Sequence, residues 1–262
     1  MASHSTVPTA LWKSLFLQHA SKQEDPYMAV ATVERDSQNG SSIPRVRYCG
    51  FRGFFGELKL HPSAEKQLRD ENELNPLEFE SDMLAFTTDT RMQKIEQFNE
   101  FDGAIEVVFW VKEVMTQWRL RGTAFVIGDD AKKSVEQTAR AEIIKGLRKR
   151  PSQASTVSEW TWEKEITAYF ANHSPVMRGS FKNPAPGRPL SEEPTDPNLK
   201  LGQKVTDLHD ATARENFRVV VIRVHEVDRL DLTRPERASR WRTTLTDASD
   251  GVGQWEEVEL WP

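Results

Sequence analysis

Four short stretches carry residues whose types and spacing suit anion chemistry. In Leu84–Phe98, LAFTTDTRMQKIEQF, three hydroxyls and a carboxylate (Thr87, Thr88, Asp89, Thr90) precede Arg91 and Lys94. Read as strand, turn and helix, this places the two cations three apart in a first helical turn, on one face. A first turn already exposes unpaired N–H groups and the positive end of the helix dipole, so anions are favoured there and cations are not. Two cations beside a Thr-rich turn therefore suggest a missing anion, and a phosphate fits. The plainer reading is a solvated strand–turn–helix. A second stretch, PRVRYCGFRGF from Pro44, is rich in Gly and Arg for a strand. There Arg47 and Arg52 point to opposite faces unless a bulge intervenes, and Gly50 is the residue to supply one. Gln117-Trp118-Arg119, followed by Gly122, is the third stretch, and HSPVMRGSFKNPAPG from His173 is the fourth. His173, taken alone, reads as a structural hydrogen-bonding residue.

The elements that must position these residues follow from periodicity. Ala10–Ala20 predicts an amphipathic helix with Leu11, Leu15 and Phe16 on one side. Tyr27–Arg35 alternates as a strand, Asp36–Ser42 turns, and Val46–Phe55 returns as the hairpin partner. Residues 61–82 form a charged, partly helical insertion. Ala104–Lys112 and Thr116–Gly128 are the best antiparallel pair. Helices are expected over Ala131–Arg148 and Ser158–Asn172. A Pro/Gly-rich and polar loop is expected over 174–213, and strands over Phe217–Val224 and Trp255–Trp261. This is not the alternation of a doubly wound sheet. It reads as one domain over 1–262, mainly β with peripheral helices, in an antiparallel barrel that is closed or half closed.

Bulk properties narrow the function. A formal net charge of -5 over 262 residues argues against a nucleic-acid binder, whose footprint is usually a basic excess. No apolar run approaches the roughly 18 residues of a membrane span. The start, MASHSTVPTALWKSLF, lacks the pattern of a secretory leader. Cys49 is the sole cysteine, which rules out an internal disulfide and a cysteine-based zinc site and fits a reducing, cytoplasmic setting. Neither a dinucleotide glycine fingerprint nor a P-loop, a zinc-protease motif or a nucleophile elbow is present, and no metal site is expected. If the protein is an enzyme, a cofactor carries the chemistry and no catalytic side chain stands out.

Taken together and in order, these segments resemble the flavin-binding split-barrel family typified by pyridoxamine 5'-phosphate oxidase, in its stand-alone FMN-binding branch. The resemblance runs through Ala31-Thr32, Pro44, Arg47, Arg52-Gly53-Phe54, Phe86, Thr88-Asp89, Arg91, Lys94, Gln117, Phe217, Val227-Asp228, Leu230 and Trp255. It implies a split antiparallel β-barrel whose chains pair into a homodimer with FMN at the interface. It also implies that Arg47, Tyr48, Cys49, Gly50 and Arg52 line the isoalloxazine and help hold the phosphate. Thr87 and Thr88 would hydrogen-bond the flavin, Lys94 would serve as the phosphate cation with Arg91 beside it, and Gln117 and Arg240 would reach the flavin. Substrate contacts would come from Tyr169, Arg178 and Ser180, with Lys182 nearby. The chain departs from the family where an Arg-x-His pair is usual: that neighbourhood reads PERASRWR, without histidine. Met92 stands where a serine is usual. The implied function is an FMN-dependent oxidoreductase of unassigned small-molecule substrate; the alternative is a flavin-binding or interaction protein without turnover.

Overall fold

A computed structural model describes residues 9–130, 132–150, 159–194, 196–246 and 253–262. Its strands are β1 (Tyr27–Arg35), β2 (Ser42–Gly50), β3 (Phe79–Glu80), β4 (Leu84–Asp89), β5 (Ala104–Val111), β6 (Thr116–Ile127), β7 (Arg148–Lys149), β8 (Phe217–Asp231), β9 (Ser239–Thr246) and β10 (Gln254–Leu260). The helices are α1 (Lys13–Ala20), α2 (Pro62–Asp70), α3 (Gln93–Glu100), α4 (Ser134–Lys145), α5 (Trp162–Ala171), α6 (Pro175–Gly179) and α7 (Ala211–Asn216).

The main sheet is antiparallel in the order β10-β9-β8-β6-β5-β1-β2, with β4 also paired to β8. β8 is the axis of this arrangement. Its first half pairs with β4 on one edge and β6 on the other, and its second half exchanges β4 for β9. The run Val219-Val220-Val221-Ile222 is apolar without alternation because both of its faces are covered. Val220 and Ile222 enter the barrel interior, whereas Val219 and Val221 face a second core under α4 and α5.

The ladder is not continuous between β2 and β4. The run after β2 seams the gap: Arg52 N donates to Ala85 O, Ala85 N to Gly53 O and Phe55 N to Met83 O, with one bridge at Phe54 and Leu84. This is the split in the barrel. Gly53 makes the seam possible with a φ of 91°, a left-handed conformation that favours glycine. The expected bulge at Gly50 is therefore replaced by a strand that ends there. A register shift instead falls opposite Arg121 and Gly122 of β6, where β8 carries one extra residue, His225, and a Cβ on Gly122 would sit 2.2 Å from Arg223 O.

Trp12 and Phe16 plug one end of the barrel against Phe54, Phe109 and Trp118. Trp12 takes the buried place expected of Leu11, which is 66% exposed. The 61–82 insertion folds as α2 and β3, and β3 pairs with β7. Loop 174–213 carries α6 and the start of α7. The expected helix starts at Ala131 and Ser158 lie outside the described residues; α4 and α5 begin at Ser134 and Trp162.

Candidate functional site

β4 sets the site. Its hydroxyl tail does not turn, as the sequence reading expects, because Thr87, Thr88 and Asp89 pair in register with Val219, Arg218 and Phe217. Alternation then sends neighbouring threonines to opposite faces. Thr88 lies on the face of Leu84 and Phe86, where Lys94 donates to its Oγ1 at 3.0 Å. Thr87 lies on the helical face and meets His173 Nε2 at 2.8 Å.

The helix begins later than expected. Asp89 Oδ1 accepts from the Arg91 backbone N at 2.8 Å, a local turn that holds Arg91 outside α3. Met92, at the N-cap, gives no side-chain cap, so the first N–H groups of α3 lack the usual acceptor. Lys94 lies in that first turn and is only 7% exposed. Arg91, named beside it from the sequence, is engaged elsewhere: it grips Asp89 at 2.6 Å and donates to the carbonyls of Phe181 and Asn183.

A cleft of about 570 Å³ opens between the end of β2, β4 and loop 174–213. Tyr48, Cys49, Gly50, Arg52, Thr87, Thr88, Lys94 and Ser180, all named from the sequence, line it. Its other wall is apolar, with Met177, Phe181, Pro184, Pro186 and Leu201. The sequence had flagged that loop but none of those five side chains.

The electrostatics of the cleft are one-sided. Among the described residues neither Lys94 nor Arg52 has a carboxylate within 4.0 Å. Burial lowers the pKa of both, with Cys49 opposing at Lys94 and Tyr27 and Asp25 opposing at Arg52. Arg52 Nε is buried and has no hydrogen-bond partner. Asp89, the carboxylate at the rim, is already committed to Arg91. The Cys49 thiol is pushed up by burial, against the pull of Lys94 and Arg47.

The remaining sequence-named residues lie elsewhere. Arg47 is outside the cleft lining and donates to Thr32 Oγ1 at 2.5 Å and Gln97 Oε1 at 2.9 Å, linking β1, β2 and α3. Gln117 and Arg240 share one row across the outer face with Leu230 between them. Arg240 is held by Asp228 at 2.9 Å, which lowers the Asp228 pKa against the opposing effect of burial. Gln117 is three strands from β2, about 14 Å of sheet. Tyr169 is 1% exposed and stacks on Phe55 in the second core. Arg178 is buried against Phe170 and donates to Gln67 Oε1 and Thr206 O, and Lys182 is paired with Asp210 at 2.8 Å. Thus Ser180 alone of the three proposed substrate contacts lines the cleft, with its hydroxyl donating to Met177 O.

His173 is the residue the sequence reading left as structural. It is 6% exposed, and its Nδ1 lies 3.4 Å from Arg52 Nη2. Burial first, then Arg52 and Arg178, lower its pKa to about 3.

Residues 9–128 match the family model for the pyridoxamine 5'-phosphate oxidase FMN-binding domain. The matched segment, somewhat less than half of the chain, is similar to that domain. It contains β1 to β6, α1, α3 and both cleft cations. A pyridoxamine 5'-phosphate oxidase-related, FMN binding protein from Nostoc punctiforme has the same fold, with a TM-score of 0.58 at 21% identity, covering 97% of this chain and 100% of that one. PhzG from Burkholderia lata, solved with tetrahydrophenazine-1-carboxylic acid, also shares the fold, with a TM-score of 0.51 at 14% identity over 100% and 97% of the two chains. The uncharacterized protein YGR017W of Saccharomyces cerevisiae is 23% identical, covering 99% of this chain and all of its own length. The fold is the antiparallel split barrel with peripheral helices that the sequence implied. No helix among the described residues is long and apolar enough to cross a membrane, and no group of His, Cys, Asp and Glu there is placed to hold a metal.

Proposed function

We propose that the protein binds FMN in the β2–β4 cleft and acts as a flavin-dependent oxidoreductase. The observation that carries this is a pair of cations, the buried Lys94 and the partly buried Arg52, that line one cleft with no carboxylate partner among the described residues. Burying an unpaired charge costs several kcal/mol unless something compensates it. A ligand anion in the cleft is the natural compensation, and a family model for an FMN-binding domain covers both residues.

The donor set fits a flavin phosphate. Lys94, the Thr88 hydroxyl and the uncapped start of α3 offer a charge, a hydroxyl and backbone N–H groups on one face of β4. Each charge-assisted hydrogen bond contributes roughly 1.5–3 kcal/mol. Two or three such bonds supply much of the ~8 kcal/mol of a micromolar affinity. FMN, when bound, supplies an isoalloxazine ring that accepts and returns a hydride. Arg52 holds positive charge beside the ring-binding strand end. Phe181, Pro184 and Leu201 give the opposite wall an apolar surface.

Pairing of two chains belongs to the same proposal. On the outer face of β2, β1 and β5, Val46, Tyr48, Tyr27 and Trp110 are all exposed, at 72%, 77%, 62% and 43%. Such an apolar patch on a sheet continuous with the cleft favours a second copy. Gln117 of the partner subunit would then reach a cleft that Gln117 of the same chain is too far away to serve.

Flavin binding without turnover is the second reading, favoured by the engagement of two titratable groups at the cleft: Asp89 is ion-paired with Arg91, and His173 contacts Arg52 and Thr87. Anaerobic mixing of the FMN-loaded protein with pyridoxamine phosphate, pyridoxine phosphate and reduced nicotinamides separates the two. Bleaching of the flavin band by any of them supports oxidoreduction; an unbleached flavin with all of them supports the non-catalytic reading.

A further inference from the structure

We infer that the charged insertion builds a second binding site, a cavity between α2, the 74–77 loop and α5 that takes a small amine with an apolar body, held by Glu165. This inference stands apart from the FMN reading, because the cavity shares no lining residue with the β2–β4 cleft.

The cavity holds about 450 Å³, within the range of small-molecule sites. Three segments meet there. The run after β2 gives Leu58 and Leu60, the chain between α2 and β3 gives Leu74 and Leu77, and α5 gives Glu165. Four leucines around one concave surface favour an apolar occupant. Glu65 and Arg69 also line it, but they are paired with each other at 2.7 Å along α2 and together add no net charge. The charge left over is that of Glu165.

Hydrogen-bond logic fixes how Glu165 is held. It is 6% exposed. The Thr161 backbone N–H donates to Asn75 Oδ1 at 3.1 Å, which turns the Asn75 amide so that Nδ2 donates to Glu165 Oε2 at 3.0 Å. Trp160 Nε1, which can only donate, reaches the same oxygen at 3.2 Å. Oε2 is thus an acceptor twice over, and neither side-chain donor reaches Oε1. Among the described residues no Lys, Arg or His nitrogen lies within 4.0 Å of this carboxyl. Burial raises its pKa, against the Asn75, Trp160 and Gly56 donors. Neutral donors therefore orient a carboxylate at an apolar cavity, and its desolvation is only partly offset. An ammonium supplies the absent cation and a charge-assisted hydrogen bond. An alcohol of the same shape supplies a hydrogen bond without the charge, and a carboxylate ligand sets two like charges together beside leucines.

Calorimetric titration of 2-phenylethylamine, 2-phenylethanol and 3-phenylpropanoate into the full chain at pH 7, with and without FMN, tests this. The amine is expected to saturate, the alcohol to bind at least ~10-fold more weakly, and the carboxylate more weakly still. Glu165→Gln keeps an acceptor oxygen for Asn75 and Trp160 and removes the charge. It is expected to weaken the amine by ~10-fold or more, to bring amine and alcohol within a few-fold of each other, and to leave FMN affinity unchanged. Leu77→Lys adds a cation at a lining position that is 68% exposed, and is expected to weaken the amine with the fold intact. No saturable amine binding, equal binding of amine and alcohol, or unchanged amine affinity in Glu165→Gln overturns the site. If Glu165→Gln does not fold, the amine-over-alcohol preference of the wild-type protein and the Leu77→Lys titration decide, and an unchanged amine affinity in Leu77→Lys overturns the placement. Displacement of the amine by FMN overturns its separation from the cleft. If the protein takes up no FMN, the cofactor reading fails, and the titration without FMN still decides this site.

Discussion

Replacing Lys94 by methionine should move ligand affinity and stability in opposite directions. Lys94 is 7% exposed, its ammonium has one neutral partner, Thr88 Oγ1 at 3.0 Å, and burial lowers its pKa. The chain without ligand therefore carries a buried cation whose desolvation is poorly offset, and Met of similar length removes that cost while keeping the packing. With FMN present the sign reverses. Losing one charge-assisted hydrogen bond, roughly 1.5–3 kcal/mol, weakens binding by about 10- to 150-fold. Calorimetric FMN titration gives the affinity, and thermal unfolding of the unliganded protein gives the stability. A second signature follows from linkage. Because the folded pKa is depressed, the unfolded chain binds more protons in the window between it and the ordinary lysine value of 10.5, so stability rises with pH across that window. Lys94→Met abolishes that rise. Unchanged FMN affinity would refute the phosphate placement, and a large loss of unliganded stability would refute the claim that the cation is uncompensated.

Two further outcomes are expected. The His173 pKa, lowered from 6.5 to about 3, makes the unfolded chain the greater proton binder between those values, so stability falls as pH drops through that window. The slope approaches ~1.4 kcal/mol per pH unit, or about 2 kcal/mol lost by pH 5, and His173→Gln flattens it; urea titrations at pH 5 and pH 7 measure the difference. For the pairing of chains, Lys94→Ala and Gln117→Ala variants each lose FMN affinity alone. Mixed and re-associated, they regain one intact site per dimer if Gln117 crosses to the other chain, and none if each chain serves its own cleft.

How much of this was legible in the sequence depends on whether a residue's partners are near it. β1 is read with its true ends because YMAVATVER alternates and the structure buries every second residue from Met28 to Thr32. The apolar run of β8 is equally plain, though its second half, beyond Val224, is charged and escapes notice. β9 escapes entirely: SRWRTTLT has only Thr243 buried, and its strand character comes from pairing with β8 and β10. The same cause misplaces the end of β4, where polar residues look like a turn but pair across more than a hundred residues of chain with Phe217–Val219. In the site, Thr88 and Lys94 are six apart and visible together. Arg47, by contrast, is taken by Gln97, and His173 reaches Thr87 across 86 residues. Nothing local in the sequence states either contact.

FMN titration of the purified protein tests the central claim most directly. The account predicts saturable uptake of one FMN per chain with a visible flavin band, weakened in Lys94→Met. Failure to take up FMN in the wild-type protein would contradict it.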